Sequence, residues 1–158
     1  RGLGDVYKRQ VVGRRFQEVF SQLFGGGTAQ IVLTDPDNIL TGGTDFYIQP
    51  PGKKRQQLTL LSGGERALTV IALLFSFLDY RPAPFCVLDE VDAALDEANV
   101  ERFSSYLNRI NKETQFIVVS HRKKTMEAAE VLQGVTMVER GVSRLLTVAF
   151  EDVKEDLA

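Results

Sequence analysis

The sequence predicts an α/β fold, a mixed sheet with a parallel βαβ core flanked by helices. The first observation behind it is an apolar run, Phe85 to Leu88, followed by an amphipathic pattern at Val100, Phe103, Leu107 and Ile110 and by a second apolar run, Gln115 to Val119. Strand, helix, strand at that spacing joins a parallel pair. The second is a pair of β-rich segments, Gln30 to Leu33 and Thr44 to Gln49, separated by the turn-forming Asp35, Pro36, Asp37 and Asn38, with Gly42 and Gly43 before the second segment. They read as an antiparallel meander. The third is size: 158 residues with 44% hydrophobic and 25% charged content suit one soluble globular domain.

Taken in order, Arg1 to Gln10 contain Gly2 and Gly4 and lack periodicity, so this stretch is expected to be poorly structured or foreign to the domain. From Val12 the apolar positions Phe16, Val19, Phe20, Leu23 and Phe24 follow helical spacing, which predicts a helix over 11–24 that Gly25, Gly26 and Gly27 stop. Pro50 to Arg55 break the chain with a basic tip, whose simplest reading is a solvated loop. Ala67, Leu68, Val70, Ile71, Leu74, Phe75 and Leu78 trace a wide apolar face on a long, largely buried helix ended by Pro82 and Pro84. The strand at Phe85 is expected to be buried on both faces. A short helix over Lys123 to Leu132 and two final strands, Val135 to Glu139 and Ser143 to Phe150, complete the chain, with a turn at Arg140 and Gly141. No internal repeat is present.

Composition excludes several classes. With 19 Lys and Arg against 21 Asp and Glu the net charge is -2, so the chain is not a strongly basic polyanion binder, and any nucleic-acid contact must be local. The single cysteine, Cys86, excludes a disulfide within the chain and a cysteine-based zinc site, and predicts a buried reduced thiol. No apolar stretch approaches the roughly 18 residues of a membrane span, and no apolar leader opens the sequence, so a cytosolic protein is expected.

Three segments carry chemistry. Leu61, Ser62, Gly63, Gly64 and Glu65 precede the long helix, and Ser62 and Glu65 have capping-box spacing. A cap does not explain two glycines in the first turn, each costing about 1 kcal/mol relative to alanine. Bare amides at a helix N-terminus beside a hydroxyl suit a phosphate oxygen, and both readings stand on this motif alone. Asp89 and Glu90 follow a parallel strand, at the edge where open α/β sheets bind ligands, although such a pair can also begin a solvated loop. The acidic run continues through Asp92 and Asp96. His121, the only histidine, follows the neighbouring strand, so adjacent strands can bring it to the same rim as Asp89 and Glu90.

Order and spacing give these residues a family resemblance. Leu61 to Glu65 resembles the signature motif of ABC-type ATPases, Phe85 to Glu90 their Walker B strand, Ala94 to Asp96 their D-loop and His121 their switch histidine. The run from Leu88 to Asp96 resembles bacterial SMC (structural maintenance of chromosomes) proteins more narrowly, because Val91 and Asp92 stand where transporter ATPases usually have Pro-Thr or Pro-Ser. The likeness covers about Phe16 to Val153. A P-loop, Gly-x4-Gly-Lys followed by Ser or Thr, is absent from the 158 residues. The resemblance therefore implies the C-terminal lobe of a P-loop (ABC-type) ATPase head, over 25–158, with 11–24 as a coiled-coil root helix and 1–10 outside the family.

The same resemblance implies roles. Asp89 would hold Mg²⁺, usually through water, Glu90 would activate the attacking water, and His121 would stabilise charge near the γ-phosphate. Leu61 to Glu65, chiefly Ser62, Gly63 and Gly64, would bind the γ-phosphate of ATP held by the other head of a homodimer, and Asp96 would bridge to that head. The implied partners are an N-terminal head lobe carrying the P-loop, a kleisin subunit and DNA, with no membrane and a nucleoid-associated, cytoplasmic location. Lys53, Lys54, Arg55, Arg122, Lys123 and Lys124 are candidate phosphate contacts, with ordinary surface charge as the competing reading. The alternatives are a head lobe of a DNA-repair ABC-type ATPase and a non-catalytic dimerisation or kleisin-docking fragment.

Overall fold

The computed structural model describes residues 2–35, 42–110 and 114–149, with side chains from 10 to 147 within those ranges. Helix α1, Gly2–Phe24, presents Phe16, Val19, Phe20, Leu23 and Phe24 to the core, where all five are buried. It begins earlier than the apolar spacing predicts: no proline interrupts the first ten residues, so helix continues where an irregular end is expected.

The chain then leaves the helix through three glycines into β1, Thr28–Leu33, which pairs antiparallel with β2, Thr44–Gln49, as predicted. The predicted turn residues Pro36, Asp37 and Asn38 lie outside the described residues. Gly27 is the residue the exit depends on. It sits at φ +84°, and a Cβ there would stand 2.3 Å from the Gln49 carbonyl oxygen. Gln17 secures the same corner, donating from Nε2 to the Gly27 carbonyl at 3.2 Å and accepting the Ala29 N–H at 2.7 Å. A two-residue strand β3, Gln56–Gln57, extends the meander, and one 3-10 turn over Leu58–Leu60 leads to the next helix. Neither is legible in the sequence, because two glutamines carry no strand pattern.

Helix α2, Gly63–Tyr80, buries Leu68, Ile71, Ala72 and Phe75. Its opposite face leaves Val70 and Phe77 exposed, so the helix is half-buried rather than largely buried. Strand β4, Phe85–Asp89, helix α3, Glu97–Ile110, and strand β5, Gln115–Val119, form the expected βαβ unit, with Phe85 opposite Gln115 and Asp89 opposite Val119 in a parallel ladder. Phe75 stacks on Tyr106 at 5.2 Å between ring centroids and meets Phe116 edge-on at 5.9 Å, joining α2, α3 and β5 in one core.

Two sheet expectations are corrected. The meander and the parallel pair remain separate sheets among the described residues instead of one mixed sheet, because α1 packs on β1, α2 and α3 and holds the two apart. Among the described residues the parallel pair is covered on one face only. Leu88 is buried and Cys86, Phe116 and Val118 are half-buried on the helix side, while Phe85, Val87, Ile117 and Val119 are 60%, 55%, 47% and 51% exposed on the other. The Cys86 thiol is thus half-buried rather than buried, and burial still pushes its pKa up.

Helix α4, Lys123–Glu127, is shorter than the predicted helix, and strand β6, Val131–Glu139, takes over Leu132. The β-branched Val131, Val135, Thr136 and Val138 favour extended backbone, and antiparallel pairing with β7, Val142–Ala149, satisfies it. Phe150, predicted to end that strand, lies outside the described residues. Among the described residues no helix is long and apolar enough to cross a membrane.

Urea unfolding checks this account of the glycine corner and the aromatic core. Gly27→Ala is expected to cost about 2 kcal/mol or more, since the positive φ alone costs ~1–2 kcal/mol for an L-residue. Phe75→Ala is expected to cost about 3–5 kcal/mol through the cavity it leaves. Gly13→Ala, inside α1 with open space around its Cβ, should instead gain about 0.5–1 kcal/mol.

Candidate functional site

Three of the predicted residues meet at the C-terminal rim of the parallel pair. Asp89 ends β4 and is exposed. The next residue, Glu90, donates its backbone N–H to the Val119 carbonyl at 2.9 Å, which anchors it to the end of β5. His121 lies just beyond β5, and its Nδ1 stands 4.0 Å from Glu90 Oε1, with both side chains more than half exposed. Glu90 has φ 48°, the only positive φ on a non-glycine residue among the described ones. A carboxylate kept in the left-handed region is strained by its surroundings.

The loops behind this rim are fastened by two residues that the sequence reading left without a role, Asp92 and Ser120, and by two that it assigned to contacts outside the chain, Asp96 and Arg122. Asp92 is fully buried, and its Oδ2 accepts the Ser120 hydroxyl at 2.6 Å and the Thr125 hydroxyl at 2.5 Å. Ser120 Oγ in turn accepts the Arg122 N–H at 3.0 Å. The Arg122 guanidinium donates to the Leu95 carbonyl at 2.9 Å and lies 3.6 Å from Glu97. Asp96 accepts the Asn99 N–H at 2.9 Å on Oδ1 and the Asn99 amide at 3.2 Å on Oδ2, so within this chain it caps the start of α3. An Asp three residues before Asn99 at a helix start was the sequence signal for that cap. The buried Asp92 had no local signal, because its partners lie 28 and 33 residues away.

The Leu61 to Glu65 segment realises its capping box. Glu65 N–H donates to Ser62 Oγ at 3.4 Å, while the Ser62 N–H and hydroxyl donate to Glu65 Oε2 at 3.2 and 2.8 Å. Leu61 is buried beneath it. Burial pushes the Glu65 carboxyl up, but hydrogen bonds from Lys53 and Ser62 and the Lys53 charge outweigh it, leaving the carboxyl below its ordinary range. Lys53 Nζ approaches Glu65 Oε1 to 2.8 Å. The two glycines differ. A Cβ on Gly64 would come to 3.1 Å from the Ala94 carbonyl oxygen, whereas one on Gly63 would meet nothing within 4 Å. Packing within the chain therefore asks for Gly64 and not for Gly63, and it sets this segment beside the loop that leads to Asp96.

The basic candidates are mostly engaged within the chain. Lys53 pairs with Glu65, Arg55 lies 4.8 Å from the Tyr47 ring centre, and Lys123 and Lys124 lie 3.9 and 3.3 Å from Glu127. Among the described residues no three His, Cys, Asp or Glu side chains form a metal cage. The exposed Asp89 carboxylate fits a Mg²⁺ ion that keeps waters and phosphate oxygens as its other ligands, a set that needs one or two protein carboxylates.

Comparison with known proteins places the chain in a family. A family model described as the RecF/RecN/SMC N terminal domain matches residues 16–144. The chromosome partition protein Smc of Bacillus subtilis (strain 168) is 63% identical over 140 residues, covering 89% of this chain and 12% of that protein. The chain thus spans about an eighth of the length of the curated relatives it matches. Among solved structures, a Smc head domain with an extended coiled coil derived from Pyrococcus furiosus, bound to the C-terminal domain of ScpA, superposes with a TM-score of 0.83 at 37% identity, over 94% of this chain and 37% of that one. An SMC ATPase studied for ATP-driven dimerization and DNA-stimulated activation gives 0.83 at 36% identity, over 94% of this chain and 89% of that one. With the mixed α/β fold of SMC head structures, the chain belongs to the RecF/RecN/SMC family and is similar to part of the bacterial Smc chromosome partition proteins.

Proposed function

We propose that this chain is the C-terminal lobe of the ATPase head of a chromosome-partitioning Smc protein, with 11–24 as the root of its coiled-coil arm, 25–158 as the lobe and 1–10 outside the family core. The observation that carries this reading is a parallel pair with Asp89, Glu90 and His121 at its rim and a bare apolar face. Parallel sheets are ordinarily covered on both faces. A lobe with the P-loop that this sequence lacks would cover the face and bring ATP to the rim. The description of the matching family names an N-terminal domain. The residues nevertheless resemble the signature, Walker B, D-loop and switch elements, and no P-loop pattern occurs in the 158 residues, which supports the C-terminal reading. An SMC ATPase chain that overlaps this one almost end to end also supports a lobe of this length.

In this reading Glu90 orients and activates the attacking water for in-line transfer of the γ-phosphoryl group, and its strained backbone reflects that duty. His121 faces the charge that develops on the phosphoryl oxygens. Asp89 would hold Mg²⁺, which would supply positive charge against the phosphate oxygens. Ser62 and the unhindered Gly63 meet the γ-phosphate of ATP held by a second head, with Gly64 against the loop that leads to Asp96. ATP then joins two heads, and hydrolysis separates them. A kleisin is supported by the ScpA domain on the P. furiosus head, and DNA by the DNA-stimulated relative, with Lys54 the basic candidate for which no partner within the chain is described.

Three experiments test the proposal. The chain alone should show no appreciable ATPase activity, and co-expression with the P-loop lobe should restore it; full-rate hydrolysis by the single chain would refute the split site. In the two-lobe head, Glu90→Gln should block hydrolysis while keeping ATP-dependent pairing in sedimentation velocity, and Ser62→Arg should abolish pairing while nucleotide still binds the P-loop lobe. Chemical denaturation should find Glu90→Gly more stable than Glu90→Gln by about 1 kcal/mol, because glycine relieves the left-handed backbone.

A further inference from the structure

We infer that Asp92 is a positioning residue for hydrolysis, holding Glu90 and His121 in register through the hydroxyls of Ser120 and Thr125. The inference rests on the ATPase reading above. Asp92 lies two residues after Glu90, and Ser120 immediately precedes His121. The two turns that carry the reacting side chains are thus joined from behind by one carboxylate oxygen receiving two hydroxyl protons. The setting is costly in itself. Asp92 is fully buried, its Oδ1 has no hydrogen-bond partner among the described residues, and no described ion pair compensates the charge. A buried carboxylate held by neutral hydroxyls is poor value for stability alone, since apolar residues of similar volume fill such sites at no loss.

The bonds also explain why an acid is used. One oxygen must accept two protons, which a carboxylate does strongly because its bonds are charge-assisted. The amide of an asparagine would keep the shape but lose the charge that strengthens both bonds, and it would put a buried N–H₂ group in the place of Oδ1. Asp92 touches neither reacting side chain in the described hydrogen bonds. Its effect passes through the Ser120 backbone to His121 and through its own turn to Glu90, whose N–H is fixed on Val119 and whose carbonyl accepts the Ala93 N–H at 3.0 Å. A shift of about 1 Å in such a pair is enough to cost ~100-fold in rate.

The test uses the full-length protein with Ser120→Ala, Ser120→Thr, Asp92→Asn and Glu90→Gln, measuring kcat and KM for ATP, ATP-dependent pairing and Tm. Ser120→Ala and Asp92→Asn are expected to lower kcat about 10-fold or more with KM within about twofold and pairing intact, the pattern of a transition-state effect. Ser120→Thr, which keeps the hydroxyl, should recover most of kcat. If Asp92→Asn does not fold, the Ser120→Ala and Ser120→Thr pair decides. Unchanged kcat in Ser120→Ala beside an inert Glu90→Gln overturns the inference alone. A parallel fall of kcat, pairing and Tm in Ser120→Ala without rescue by Ser120→Thr also overturns it, as a merely structural role. Hydrolysis at full rate by Glu90→Gln overturns the underlying assignment of Glu90.

Discussion

Burying the Asp92 carboxylate strips its hydration, and two hydroxyls from the segment after β5 replace it, so the turn after β4 cannot move apart from its neighbour. The other fasteners act on the same two segments. Glu90 N–H is fixed on Val119, and the Arg122 guanidinium grips the Leu95 carbonyl. Exposed side chains gain definition from buried neighbours in this arrangement. Glu90 and His121 face solvent, yet each follows or precedes a residue whose backbone is fixed.

The helices supply the platform for that rim. Phe75 at the centre touches aromatic rings from α3 and β5, and the α1 phenylalanines close the core toward the meander. The stripe on α1 is therefore core from Phe16 to Phe24, whatever else the helix does further along. The capping box of α2 has the same dual character. It caps the start of the helix as local chemistry requires, with Lys53 from the preceding turn clamping Glu65, while Gly63 stays unhindered at the surface.

Most of the fold was legible because it is local. Helical spacing marked the α1 core stripe, α2 and α3, and apolar runs at a fixed distance marked the parallel pair. What failed depended on distant partners. The strand at Leu132 follows from pairing with Val148 across the hairpin, and the one-sided burial of Phe85 and Val87 follows from the absence of any described element over them. At the site, Asp89 and Glu90 at the end of β4 and His121 just past β5 were legible together, because the two strands are parallel neighbours. Asp92 looked like one more acid in an acidic run, since only the fold brings Ser120 and Thr125 to it.

The uncovered strip of Phe85, Val87, Ile117 and Val119 also bears on how such a protein is made in the cell. An apolar sheet face without its cover is adhesive toward any similar surface, including another nascent copy. If the covering lobe lies elsewhere in the same polypeptide, tethering raises its local concentration and favours the correct match over aggregation. In that arrangement the bare face would make the distance between two lobes along a gene a matter of folding quality control.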